Sequence, residues 1–170
     1  EVFDITYHNK YEQILSEAAS VGFGPVEILQ RDNLKQFQKL HSELVALNQS
    51  LKNYNFTAYI THGDAHNNVM VDDGDHYLVD WDSILLAPIE RDIWFFVDNQ
   101  KVIDVYTQAF PGFKINEDIV RFYRLSRLFS DLNGFLEAIR DAKGEKVRDE
   151  NYQMLDESVF KWLLPMVGVN

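Results

Sequence analysis

Between Thr61 and Met70 the chain reads Thr-His-Gly-Asp-Ala-His-Asn-Asn-Val-Met, which sets two histidines, an aspartate and two asparagines around one glycine just ahead of an apolar run. A second pair of carboxylates follows in Val79-Asp80-Trp81-Asp82. Between the two clusters lie short β-prone runs at residues 69–71 and 76–79, separated by Asp72-Asp73-Gly74-Asp75, a hairpin turn sequence. A hairpin returns to where it began. Asp64, ahead of the first strand, and Asp80, after the second, are therefore expected to converge with Asn68. Three oxygen donors of this kind suit a hard cation such as Mg²⁺, which takes one or two carboxylates and bridges phosphate oxygens.

The elements that must position this cluster are mostly helical. Apolar residues recur at helical spacing over residues 11–19, then over 34–53, and again over 89–97, 102–110, 116–139 and 145–164. Gly22, Gly24 and Pro25 read as the break between the first two helices, and Gly22-Phe23-Gly24 as a turn. Ile119, Phe122, Ser126, Phe129, Leu132, Leu136 and Ile139 form one stripe of the fifth helix, with Asn116 as its cap and Glu117 and Asp118 in its first turn. Residues 56–60 read as a strand. The expected class is α+β, mainly helical, as a single domain over residues 1–170.

Composition narrows the function further. In 170 residues, 27 acids against 16 Lys and Arg give a net charge of -11, which disfavours nucleic acid and anionic membrane surfaces and either steers cationic partners in or serves solubility alone. The apolar runs are too short to span a bilayer, and the absence of cysteine excludes thiolate metal sites and disulfide frameworks. The expected location is cytoplasmic. The chain opens on Glu1 and enters a helical pattern almost at once, which reads as a piece of a longer protein.

These segments resemble the aminoglycoside phosphotransferase family, whose fold is that of the protein kinases. The family's catalytic loop is His-Gly-Asp, then an asparagine and an apolar strand, and a second strand ends in Ile/Val-Asp-Trp/Phe; residues 61–71 and 77–82 are similar to both. Leu86-Ala87-Pro88-Ile89-Glu90-Arg91-Asp92-Ile93-Trp94 is similar to a third segment, nearest in wording to the spectinomycin-phosphotransferase-like branch. The resemblance implies a kinase-like C-terminal lobe whose small β-hairpin carries the active-site residues, from an ATP- and Mg²⁺-dependent O-phosphotransferase. Its acceptor class would be aminoglycoside or aminocyclitol antibiotics. By position, Asp64 matches the catalytic aspartate, His62 the residue that holds the loop in shape, Asp80 the metal-binding aspartate, and Asp92 the aspartate that ties a helix start to the loop. Asn68 is the expected second metal ligand, although it follows Asp64 by four positions where the family has five. The N-terminal lobe, with its nucleotide-covering loop and strand lysine, is absent from the sequence and is an expected partner, together with nucleotide and a small-molecule acceptor.

Other residues keep open readings. His66 either packs in the loop or faces the acceptor; as a metal ligand it would need further His and Asp motifs that His8, His41 and His76 do not supply. Asp82 is either an extra metal or acceptor ligand or a solvated turn residue. Glu90 and Asp131 are candidates to border the acceptor cleft, against the plainer reading of a solvated helix face. Two other functions fit the same motifs: a catalytically inactive kinase-like binding module, favoured by the shortened loop, and a metal-dependent phosphoesterase.

Overall fold

The computed structural model describes residues 2–65 and 68–168. Its body is helical. Helices α1 (Tyr11–Ala19) and α2 (Gly24–Leu51) pack on α5 (Glu117–Asp141), and α5 is covered on another side by α6 (Glu145–Leu155) and the π-helical segment Asp156–Leu163 that continues it, followed by the short α7 (Leu164–Met166). Between α2 and α5 run four short strands, β1 (Tyr59–Thr61), β2 (Val69–Asp72), β3 (Asp75–Leu78) and β4 (Leu85–Ala87), then α3 (Glu90–Ile93) and α4 (Gln100–Ala109). Among the described residues the strands make two antiparallel pairs, β1 with β4 and β2 with β3. The mainly helical α+β expectation holds. Among the described residues no helix is long and apolar enough to cross a membrane.

Helix α5 is the spine of the molecule. Its expected stripe is buried at Ile119, Phe122, Phe129, Leu132, Leu136 and Ile139, and Val120, Leu125 and Leu128 are buried as well, so neighbours cover more than one face. Asn116 caps it as expected, its Oδ1 accepting the amides of Asp118 at 3.0 Å and Ile119 at 3.3 Å. The polar member of the stripe, Ser126, lies 3.0 Å from Nε2 of the buried His8.

Helix α2 starts ten residues before the expected position, at Gly24 rather than Leu34. The reason is the place of Pro25. In the first turn of a helix a proline has no hydrogen bond to lose and its fixed φ suits the helix, so Gly-Pro marks a start here and not a break. The helix expected over residues 89–97 is confined to Glu90–Ile93 and passes into turns. Strand β4 was not expected at all: its three residues lie within an apolar run that also contains Pro88, and only pairing with β1, in the register Tyr59↔Ala87, defines it.

The hairpin forms as read. Asp73 and Gly74 make a two-residue loop with φ of 49° and 89°, the pair of positive values that a type I′ turn requires. Unlike the helical body, it is exposed on both faces, with Val69, Met70, Val71 and Tyr77 all open to solvent. Stability therefore resides in the helices around α5. Phe129→Ala, which empties a fully buried ring site on that spine, should lower unfolding free energy by about 3–5 kcal/mol in urea titrations.

Candidate active site

The loop between β1 and β2 carries His62, Gly63 and Asp64, and one carboxylate from α3 holds it. Asp92 accepts the amide of His62 on Oδ2 at 2.9 Å and the amide of Gly63 on Oδ1 at 2.6 Å. Charge-assisted bonds to two consecutive amides fix the backbone just ahead of Asp64. Gly63 adopts φ of 88°, and a Cβ there would overlap the guanidinium of Arg91. That guanidinium is itself committed, through Nη1 to Thr61 Oγ1 at 2.8 Å and through Nη2 to the Ser83 carbonyl at 2.7 Å.

His62 ties the loop to the far end of the hairpin. It is almost fully buried, its Nε2–H donates to the Val79 carbonyl at 2.7 Å, and its Nδ1 accepts the Asp64 amide at 3.2 Å. A carbonyl only accepts and an amide only donates, so these partners select the Nε2–H tautomer. The ring packs edge-on against Trp81, with centroids 4.8 Å apart.

Asp64 meets Asn68 and an arginine. The amide nitrogen of Asn68 donates to the Asp64 backbone carbonyl at 2.8 Å and lies 3.4 Å from Oδ2. The shortened loop thus still brings an asparagine to the aspartate, four residues on. At the mouth of the hairpin the Val79 amide donates to the Asn68 carbonyl at 2.9 Å, which sets Asn68 opposite Val79 and leaves Asp80 as the next residue out, exposed and with φ of 64°. Arg127, on α5, places Nη1 3.1 Å from Asp64 Oδ1.

The remaining candidates separate. Glu90 is buried, and its Oε1 accepts the Asn116 amide at 3.0 Å, so it fastens α3 to the start of α5. Asp131 pairs with Arg127 Nε at 2.8 Å and accepts the Ser158 hydroxyl at 2.6 Å. Asp82 is exposed in the short turn Trp81–Ser83. His66, and with it Asn67, lies outside the described residues. Burial raises the phenol pKa of Tyr123 and of Tyr106, and the charge of Asp92 raises both further; Arg91 opposes this at Tyr123.

Sequence reading passed over Arg127 and Arg91. The signal for Arg127 was present in its spacing of four from Asp131 on one helix face, the usual distance of an intrahelical ion pair. Its contact with Asp64, 63 positions away, leaves no local trace.

The crowding at Gly63 is testable. Gly63→Ala should cost on the order of 1–2 kcal/mol for the backbone conformation, plus the displacement of Arg91 from Thr61 and Ser83. In an Arg91→Ala background the second cost disappears, so the penalty measured by chemical denaturation should shrink. An equal penalty in both backgrounds would show that Arg91 does not press on the loop.

No protein-family model and no curated protein sequence matches the chain. Solved structures do. Spectinomycin phosphotransferase APH(9)-Ia, in complex with ADP and spectinomycin, superposes with a TM-score of 0.71 at 18% identity, over 98% of this chain and 56% of that one. The AMP-bound complex of the same enzyme gives a TM-score of 0.67 at 20% identity, over 96% and 56%. The chain thus spans little more than half the length of the enzyme it superposes on, and its fold is that of the C-terminal lobe of a kinase-like aminoglycoside phosphotransferase.

Proposed function

We propose that this chain is the catalytic-loop and acceptor-binding lobe of an ATP- and Mg²⁺-dependent O-phosphotransferase. The observation that carries the reading is the setting of Asp64: a carboxylate on a loop clamped by Asp92, braced by the His62 ring and joined to Asn68, at the open end of a hairpin whose exit bears Asp80. Phosphoryl transfer asks little covalent chemistry of a protein. It needs the acceptor hydroxyl held in line and its proton taken up, together with stabilisation of charge on the transferred group. In this scheme Asp64 orients the hydroxyl and receives its proton. The new bond forms between the acceptor oxygen and the γ-phosphorus, and the bond from that phosphorus to the β–γ bridging oxygen breaks to release ADP.

The donor set fits magnesium. Among the described residues no three His, Cys, Asp or Glu are grouped as a metal cage. A cation that relies on one or two protein oxygens, water and substrate phosphates needs no such cage. Asp80 supplies a carboxylate and Asn68 an amide oxygen, its amide nitrogen being spent on Asp64. When bound, Mg²⁺ would neutralise charge on the nucleotide phosphates.

A nucleotide lobe is the natural partner for the hairpin. Val69, Met70, Val71 and Tyr77, with Ile60, Ile84 and Leu86 nearby in sequence on adjoining elements, leave apolar side chains in solvent that a second lobe and a nucleotide base would cover. The share of APH(9)-Ia left unmatched is in keeping with a lobe of that size. For the acceptor, the bound spectinomycin of that enzyme and the net charge of -11 favour a hydroxylated, cationic molecule of the aminocyclitol type. Glu90 and Asp131 are committed to protein partners, so Asp82 and His66 are the remaining acceptor candidates of those read from sequence.

Asp64→Asn in the complete protein should leave the unfolding free energy within about 0.5 kcal/mol of wild type while lowering phosphoryl transfer from Mg·ATP at least about 10³-fold. Turnover retained at the wild-type rate would remove Asp64 from the mechanism. Hydrolysis of phosphoesters without ATP would favour a phosphoesterase instead.

A further inference from the structure

Asp92 fixes the backbone of the loop and does not touch the Asp64 carboxylate, which Asn68 approaches to 3.4 Å at Oδ2. A relay of three side chains reaches it from the helical body. Ser158, on the π-helical segment, donates to Asp131 Oδ2 at 2.6 Å. Asp131 Oδ1 lies 2.8 Å from Arg127 Nε, and Arg127 Nη1 lies 3.1 Å from Asp64 Oδ1. Asp131 is the most enclosed charge of the three, its side chain 14% exposed against 31% for Arg127 and 39% for Asp64. The relay therefore runs from the most enclosed charge outward to the loop.

Stability does not account for this arrangement. Ion pairs this open to water contribute about 0–1 kcal/mol. A guanidinium is planar, however, and its donors are held in a fixed fork. Asp131 Oδ1 lies 2.8 Å from Nε as an ion pair and not as an aligned hydrogen bond, so it holds the guanidinium by charge while Nη1 donates to Asp64. The π turn from which Ser158 emerges is a local departure of a kind frequent at functional sites.

We propose that Arg127 is a positioning residue for Asp64, held in place by the charge of Asp131, and that it sets the orientation of the Asp64 carboxylate toward the acceptor hydroxyl. The assignment rests on the phosphotransferase reading for its kinetic consequence. A carboxylate has about four lone-pair directions, so the contact with Arg127 is compatible with accepting a hydroxyl proton. Without Arg127 the loop keeps its backbone and Asp64 its charge, but the carboxylate loses the contact that directs Oδ1. A misplacement on the order of 1 Å costs roughly 10²-fold in rate.

The test uses the complete protein with Mg·ATP and spectinomycin as the probe acceptor. Arg127→Gln should lower kcat on the order of 10²-fold with both KM values within about twofold of wild type. Arg127→Lys should recover part of the loss, since it keeps the charge but cannot serve Asp64 and Asp131 through one planar group. Asp131→Asn, which retains Arg127, should lower kcat in the same direction by a smaller factor and stands in if Arg127→Gln does not fold. An unchanged kcat, or a loss confined to KM, overturns the proposal. If the wild type transfers nothing to the probe, the phosphotransferase reading with that acceptor fails separately. The positioning is then read by NMR of the arginine side chains. Distinct, slowly exchanging Nη signals for Arg127, averaged in Asp64→Ala, support the aimed contact; averaged signals in the wild type overturn it.

Discussion

One carboxylate decides the shape of the candidate site. Asp92 accepts two consecutive amides, of His62 and Gly63, that no strand or helix provides for. An unpartnered buried amide costs about 1–3 kcal/mol, and a bond to a charged acceptor contributes more than a neutral one. The loop can take this path only because residue 63 is glycine, and the space that its missing side chain leaves is occupied by the Arg91 guanidinium. The neighbours of Asp92 extend the same construction. Glu90 holds the start of α5 through the Asn116 amide, and Arg91 joins Thr61 at the end of β1 to Ser83 before β4. Three consecutive side chains thus connect the spine helix, the first sheet and the loop.

This construction divides the labour around Asp64. The Asp92 side governs the main chain, while the α5 side, through Arg127, reaches the carboxylate itself. The His62 ring closes the third side by joining the Asp64 amide to the Val79 carbonyl, one residue before Asp80. Asp64 and Asp80 are thereby related through a short chain of bonds and not through the flexible length of the hairpin. The apolar faces of that hairpin contribute nothing to the helical core, which is consistent with a role at a surface that something else covers.

How much of this could be read from the sequence depends on how local each cause is. The type I′ turn at Asp73-Gly74 was legible because two residues fix it, and the cap at Asn116 because it acts within one turn of helix. The stripe on α5 was legible because burial repeats with the helix period. The contact of Asp92 with the loop followed from resemblance alone, since 29 and 30 positions separate the partners. Glu90 and Asp131 illustrate what composition cannot supply. Both are acids on helices, and only the fold determines that one accepts the amide at the start of a neighbouring helix while the other pairs with an arginine. Strand β4 and the early start of α2 were missed for a related reason: pairing with β1 defines the first, and the place of proline within its helix the second.

Amide hydrogen exchange at His62 and Gly63 tests most directly the claim that a single carboxylate organises the loop. In the wild type both amides should exchange far more slowly than those of the exposed hairpin turn, and in Asp92→Ala both should accelerate together, by a factor reflecting about 1.5–3 kcal/mol, while amides in the middle of α5 keep their protection. Exchange of the two amides at turn-like rates in the wild type, or rates unmoved by the substitution, would contradict the account.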